Sequence, residues 1–285
     1  MSKAIDVAKL VLGLYQIATS HLRIMPDFFI LGAQKGGTTS LYYYLVTHPS
    51  IASAWRKELF FFDSNFQKGL SWYRGQFPFS IRRYYAKLIR KQNFITGEAC
   101  PNYLFYPNVP KRVAEIFPQV KLIVLLRNPV DRAYSHYRHQ VARGREKLSF
   151  EDAIACEEER TRGDAEKMMT DENYYSYNYT IYSYLARGVY VDQLQRWFRW
   201  FPREQFLIHR SEDLYANPAT IYSQTLEFLN IPDLEPTKEY EIYNKATYTP
   251  PSKMDPKLRK RLVEYFEPHN LRLYELLDRD FGWNS

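Results

Sequence analysis

The segment Asp27–Ser40, DFFILGAQKGGTTS, constrains this chain more than any other. Phe28-Phe29-Ile30-Leu31 is apolar without polar alternation, the pattern of a parallel strand buried on both faces. Gly32 ends the run, and Gly36-Gly37 frees the backbone for a tight turn. Thr38-Thr39-Ser40 then opens an apolar-periodic stretch from Leu41 to Val46. The order is strand, glycine loop, helix N-terminus, with Lys35 in the loop. Outward-facing amides and the dipole at a helix start attract an anion. Lys35 adds a charge and the threonine hydroxyls add donors, so a phosphate or sulfate cradle is expected. The loop is not G-x-x-x-x-G-K-[ST], because its lysine precedes the glycine pair. An ordinary strand-to-helix turn with an incidental lysine is the competing reading.

A second corner has the same form. Residues 120–127 (VKLIVLLR) are the most apolar run and read as a central parallel strand. Asn128 is placed to cap a helix whose first residue is Pro129. That helix carries Arg132, Ser135, Arg138 and Arg143. Ligands of open α/β sheets lie beyond the carboxyl ends of the strands, where both Arg127 and the Lys35 loop would sit.

GAQKGGTTSL followed by LIVLLRNPVDRAYSHY resembles the two nucleotide-binding motifs of sulfotransferases that use 3′-phosphoadenosine 5′-phosphosulfate (PAPS). The likeness is to the branch of heparan sulfate sulfotransferases and their bacterial relatives. HPSI with KELFFFD (48–63), GLSWYRGQFP (69–78), GEACPNYLF (97–105) and the tail from Met254 to Trp283 fit that branch in chain order. The resemblance implies an α/β fold, a single domain over 26–285 with a central parallel sheet flanked by helices, P-loop-like, preceded by a helical extension over 1–25.

It also implies site residues. Lys35 would stabilise the departing phosphate together with Gly36, Gly37, Thr38, Thr39 and Ser40. Arg127 and Ser135 would hold the 3′-phosphate; an arginine fork suits that group. Glu58 matches the general base of the family's K-E-x-x-F-F motif, and its test is reach to the acceptor. Its competing reading is a surface salt bridge to Lys57 or Arg56. Lys57 is a further candidate for the sulfate. His136 and His139 are rival bases, ranked lower because they flank Ser135 on the nucleotide helix. The implied co-substrate is PAPS, the product adenosine 3′,5′-bisphosphate, and no metal is expected. The chain departs from glycan-modifying members in two places: Phe60 stands where they have histidine, and Ala99 where they have a sulfate- or substrate-binding lysine. These departures weigh against a glycosaminoglycan acceptor. Their C-terminal nucleotide-binding segment is also not reproduced; Lys245, Tyr248 and Lys253 are the candidates to replace it, and Tyr248 is counted with the nucleotide-binding residues.

The net charge of +7 suits an anionic nucleotide, and equally nucleic acid or an anionic membrane. No zinc-finger spacing occurs, nor a basic helix leading into heptads, and nucleic acid is not the expected partner. Two unpaired-looking cysteines, Cys100 and Cys156, favour a reducing compartment, hence the cytoplasm. Ala4–Ala18 is helical in period but too short to span a bilayer; it would pack, or contact a membrane or a partner. Among the later elements, Gly163–Asn178 reads as a flexible polar insertion and Ile181–Phe201 as one long amphipathic helix. Two other functions compete. A P-loop kinase would need a metal-binding acidic pair and a G-K-[ST] loop, and neither is evident. A non-catalytic binder of anions or nucleic acid would show only salt-dependent binding.

Overall fold

The computed structural model describes residues 2–236, 239–241, 243 and 254–284. Five parallel strands form one sheet in the order β2-β3-β1-β4-β5: β1 Phe28–Gly32, β2 Ile51–Ser53, β3 Ile95–Ala99, β4 Lys121–Leu126 and β5 Phe206–Arg210. The unbroken apolar runs follow from helices covering both faces. Alternate residues part company along each strand. Phe28, Ile30, Ile123 and Leu125 face a layer containing Leu41, Leu45 and Leu226. Phe29, Leu31, Leu122 and Val124 face a larger one around Phe62, Tyr103, Phe117 and Trp197.

From β1 the chain turns into the Thr38–Leu45 helix and on to β2 and β3 on one side; from β4 it turns into the Pro129–Ala142 helix and on to β5 on the other. The loops after β1 and β4 therefore diverge from adjacent strands and open a crevice at the carboxyl edge of the sheet.

Two sequence expectations are corrected. Residues 181–201 do not form one helix: a helix Tyr177–Tyr182, a turn at Ala186–Gly188 and a helix Tyr190–Phe198 replace it. Gly188 packs where a Cβ would lie 2.8 Å from the Phe266 ring, and Arg187 is buried beside it, so a straight helix cannot pass. Residues 163–178 are not irregular throughout: Asp164–Thr170 is helical. The buried Asp164 accepts hydrogen bonds from Tyr174 Oη (2.6 Å) and Ser176 Oγ (2.5 Å), which folds the polar stretch back on itself.

Candidate active site

The Lys35 loop is fastened from three sides. Ala33 N–H donates to Leu125 O (2.7 Å), prolonging the β1–β4 ladder. Arg127 Nη1 donates to Lys35 O (3.1 Å), and Ser211 Oγ to Gly36 O (2.6 Å). A Cβ on Gly36 would lie 2.7 Å from Leu125 O, so this position admits only glycine. Lys35 has φ 68° and Gly37 φ 93°, both in the left-handed region, and the lysine lines the cleft. The following helix makes its first hydrogen bond from Leu41 N–H to Gly37 O (3.2 Å), so the amides ahead of it point out of the helix end.

The β4 corner is locked to its neighbours. Asn128 Oδ1 caps the Pro129–Ala142 helix through Val130 N–H (3.0 Å) and Asp131 N–H (3.3 Å), with Pro129 in the first turn as expected. Asn128 N–H donates to Glu212 Oε1 (2.9 Å), and Tyr190 Oη to Arg127 O (2.8 Å).

Between the corners lies a cleft of about 570 Å³. It brings together Lys35, Gly37, Thr38, Thr39, Glu58, Arg127 and Ser135, all expected from the sequence. Glu58 arrives on a loop tied to the end of β3, where Ala99 N–H donates to Lys57 O (3.0 Å). Its carboxylate receives Lys57 Nζ at 2.5 Å, so the salt bridge and the cleft-facing position coexist.

Other expected residues are placed differently. Gly36 does not line the cleft, and its N–H is spent on Ala33 O (2.9 Å). Ser40 is buried, its Oγ accepting from Tyr243 N–H (3.1 Å). Arg132 is wholly buried and donates to the Tyr184 carbonyl. His136 is buried beside Gln140 and does not line the cleft; burial, then the Arg132 charge, hold its pKa well below the ordinary value. Tyr248, Lys245 and Lys253 lie outside the described residues. The sequence reading missed Gln34, Arg145, Tyr215 and Tyr243, which line the cleft. A lone tyrosine among 25 carries no signal in one sequence.

The cleft is electropositive. Among the described residues, none of Lys35, Arg127, Arg143 and Arg145 forms an ion pair. Its two carboxylates are engaged, Glu58 by Lys57 and Asp131 by Arg259 (2.6 Å). Burial, then Arg127 and Arg143, lower the Lys35 pKa. Burial, then Lys35, Arg143 and Arg145, push His139 down to about 4, so it is neutral near pH 7. An anion entering here would relieve that repulsion.

A five-stranded parallel α/β sheet thus carries a cationic cleft at its switch point, where ligands of such sheets lie. The sulfotransferase domain model matches residues 25–270. A crystal structure of a sulfotransferase from Alicyclobacillus acidocaldarius superposes with a TM-score of 0.68 at 32% identity, covering 92% of this chain and all of that one. Heparan sulfate glucosamine 3-O-sulfotransferase 5 of Homo sapiens is 30% identical across 91% of this chain and 74% of its own length. The membrane-associated sulfotransferase kil1 of Dictyostelium discoideum is 28% identical across 93% and 68%. The chain belongs to the sulfotransferase family and has its P-loop-like α/β fold, and it is a transferase.

Proposed function

We propose that the protein moves a sulfuryl group from PAPS to a hydroxyl-bearing acceptor. The observation that carries this reading is the convergence of Lys35, Arg127, Arg143 and Arg145, which form no ion pair among the described residues, with Glu58 lining the same cleft. Lys35 and the amides of Gly37, Thr38 and Thr39 would receive the 5′-phosphosulfate, and Arg127 with Ser135 the 3′-phosphate. Tyr215 and Tyr243 offer rings to the adenosine.

In the transfer, the acceptor oxygen forms a bond to sulfur while the bond from sulfur to the phosphate oxygen breaks. The electron pair of the broken bond passes to that oxygen, where Lys35 meets the growing charge. The acceptor proton passes to Glu58. Positioning and charge stabilisation carry such a step, as in phosphoryl transfer. The Lys57 contact holds the Glu58 carboxylate in place until the acceptor arrives.

A glycan, lipid or small metabolite would enter beside Phe60, Pro101, Asn102 and Ile181, a mixed polar and apolar rim. The relative from Homo sapiens named above, a 3-O-sulfotransferase, favours oxygen over nitrogen as the site modified. Incubation with PAPS and an acceptor panel should release adenosine 3′,5′-bisphosphate in step with sulfated product. Magnesium-dependent ATP consumption without such release would replace this reading with a kinase.

A further inference from the structure

A helix in water keeps its apolar residues against a partner. Among the described residues, the Ser2–Ala18 helix leaves much of its apolar surface uncovered. Val7, Leu10, Val11, Leu14 and Ile17 recur at helical spacing and are all exposed, Leu10 at 64%. The attached end of the helix is well fixed, with Gln76 Nε2 donating to Gln16 Oε1 (3.3 Å) and Gly75 packed against the Gln16 backbone.

A second exposed apolar set adjoins it. Ser80 Oγ donates to Leu22 O (2.8 Å), and Leu22 lines a shallow depression with Phe79, Ile81 and Tyr84. The helical segment that follows, Ser80–Tyr85 continued through Ala86–Arg90, exposes Ile81 (66%), Tyr84, Tyr85, Leu88 and Ile89 (65%). From Ser80 to Lys91 the chain carries five cations, Arg82, Arg83, Lys87, Arg90 and Lys91, and no carboxylate. Arg83 is used internally, by Asp27 at 2.5 Å; Arg82, Lys87, Arg90 and Lys91 are exposed.

We propose that these two segments form one docking face for an anionic lipid bilayer, with the apolar side chains entering the headgroup region and the cations meeting lipid phosphates. The charge pattern selects this occupant. Together the two segments carry seven cations and one carboxylate, Asp6; an apolar face with that net positive charge repels a second copy of itself, whereas it suits a negatively charged leaflet. No described helix is long and apolar enough to cross a membrane, so the contact lies in the interface plane.

The placement has a functional corollary. Asp27, which Arg83 holds, precedes β1, and Phe94, beneath Arg82, precedes β3; both are at the amino edge of the sheet. The cleft is at the carboxyl edge, one five-residue strand away, or about 17 Å. Docking therefore leaves the cleft open to the aqueous side.

The test is co-sedimentation with vesicles of phosphatidylcholine alone or with about one third phosphatidylserine. Wild-type protein should partition at least ~10-fold more onto the anionic vesicles, and about 0.5 M salt should remove the difference. Arg82→Glu/Lys87→Glu/Arg90→Glu should lower anionic-vesicle binding by at least ~10-fold, and Leu10→Asp/Leu14→Asp should lower it too. Thermal unfolding unchanged in both variants establishes that they fold. No partitioning, equal partitioning onto both vesicles, or binding that neither variant weakens overturns the proposal. So does a dimer in ultracentrifugation that Leu10→Asp/Leu14→Asp dissolves while vesicles capture nothing. None of these outcomes depends on sulfuryl transfer.

Discussion

At the scale of single residues, the cleft separates groups that hold charge from groups that hold shape. Lys35 and Arg127 are cations kept close together, and Gly36 is the spacer that permits it. Gly36→Ala would press a methyl onto Leu125 O and Ala33 O, at 2.7 and 2.9 Å. A destabilisation of about 1–3 kcal/mol is expected, read as a lower urea midpoint, with weaker binding of adenosine 3′,5′-bisphosphate. Glu58→Gln keeps size and removes the proton acceptor. Turnover should fall roughly 100- to 10,000-fold while nucleotide affinity, measured by calorimetry, stays within about twofold. Unimpaired turnover would move the base role elsewhere. The two strand–turn–helix corners marked Lys35 and Arg127 in the sequence, whereas Ser135 and Glu58 were named only through the family resemblance; all four line the cleft. Ser40 was not distinguishable from Thr38 and Thr39, because only packing decides which hydroxyl turns inward to Tyr243. Gly36 was counted among the amide donors, yet the turn spends its N–H on Ala33.

At the scale of elements, the strands and their following turns were legible. Val120–Arg127 is apolar on both faces, and Asn128-Pro129 is a helix start that the structure reproduces in its cap hydrogen bonds. Asn128→Ala should cost about 1 kcal/mol by chemical denaturation. It should also weaken nucleotide binding, since the helix it starts carries Ser135. Residues 181–201 were misread because apolar periodicity continues on both sides of a break. What interrupts the helix is the tight packing of Gly188 against Phe266, a contact with a residue far along the chain. The helix at Asp164–Thr170 was invisible for a related reason. Its polar sequence is stabilised by the buried Asp164, whose partners Tyr174 and Ser176 become neighbours only after folding.

At the scale of the whole molecule, buried carboxyls set how stability responds to pH. Burial chiefly raises Asp63 to about 6, Glu157 to about 7 and Glu98 to about 8, the last despite hydroxyls donated by Tyr73 (2.7 Å) and Tyr103 (2.6 Å). A raised acid binds its proton more tightly when folded. The stability it brings is complete below its unfolded pKa and is lost as pH rises through the folded value. His139 and His209, both lowered to about 4, act in the opposite sense and cost stability as pH falls below about 6.5. Stability by urea denaturation should therefore fall as pH rises from about 6.5 to about 8.5, the window in which Glu157 and Glu98 lose their protons and the histidines no longer compensate. Glu98→Gln should flatten that alkaline limb, and an unchanged slope would show that Glu98 does not titrate there.

The most direct measurement is a crystal structure with adenosine 3′,5′-bisphosphate. Its 5′-phosphate should lie within hydrogen-bond reach of Lys35 Nζ and the Thr38–Thr39 amides, and its 3′-phosphate against Arg127 and Ser135, with Glu58 left free across the cleft. A nucleotide bound elsewhere, or bound here with Lys35 turned away from it, would contradict the assignment.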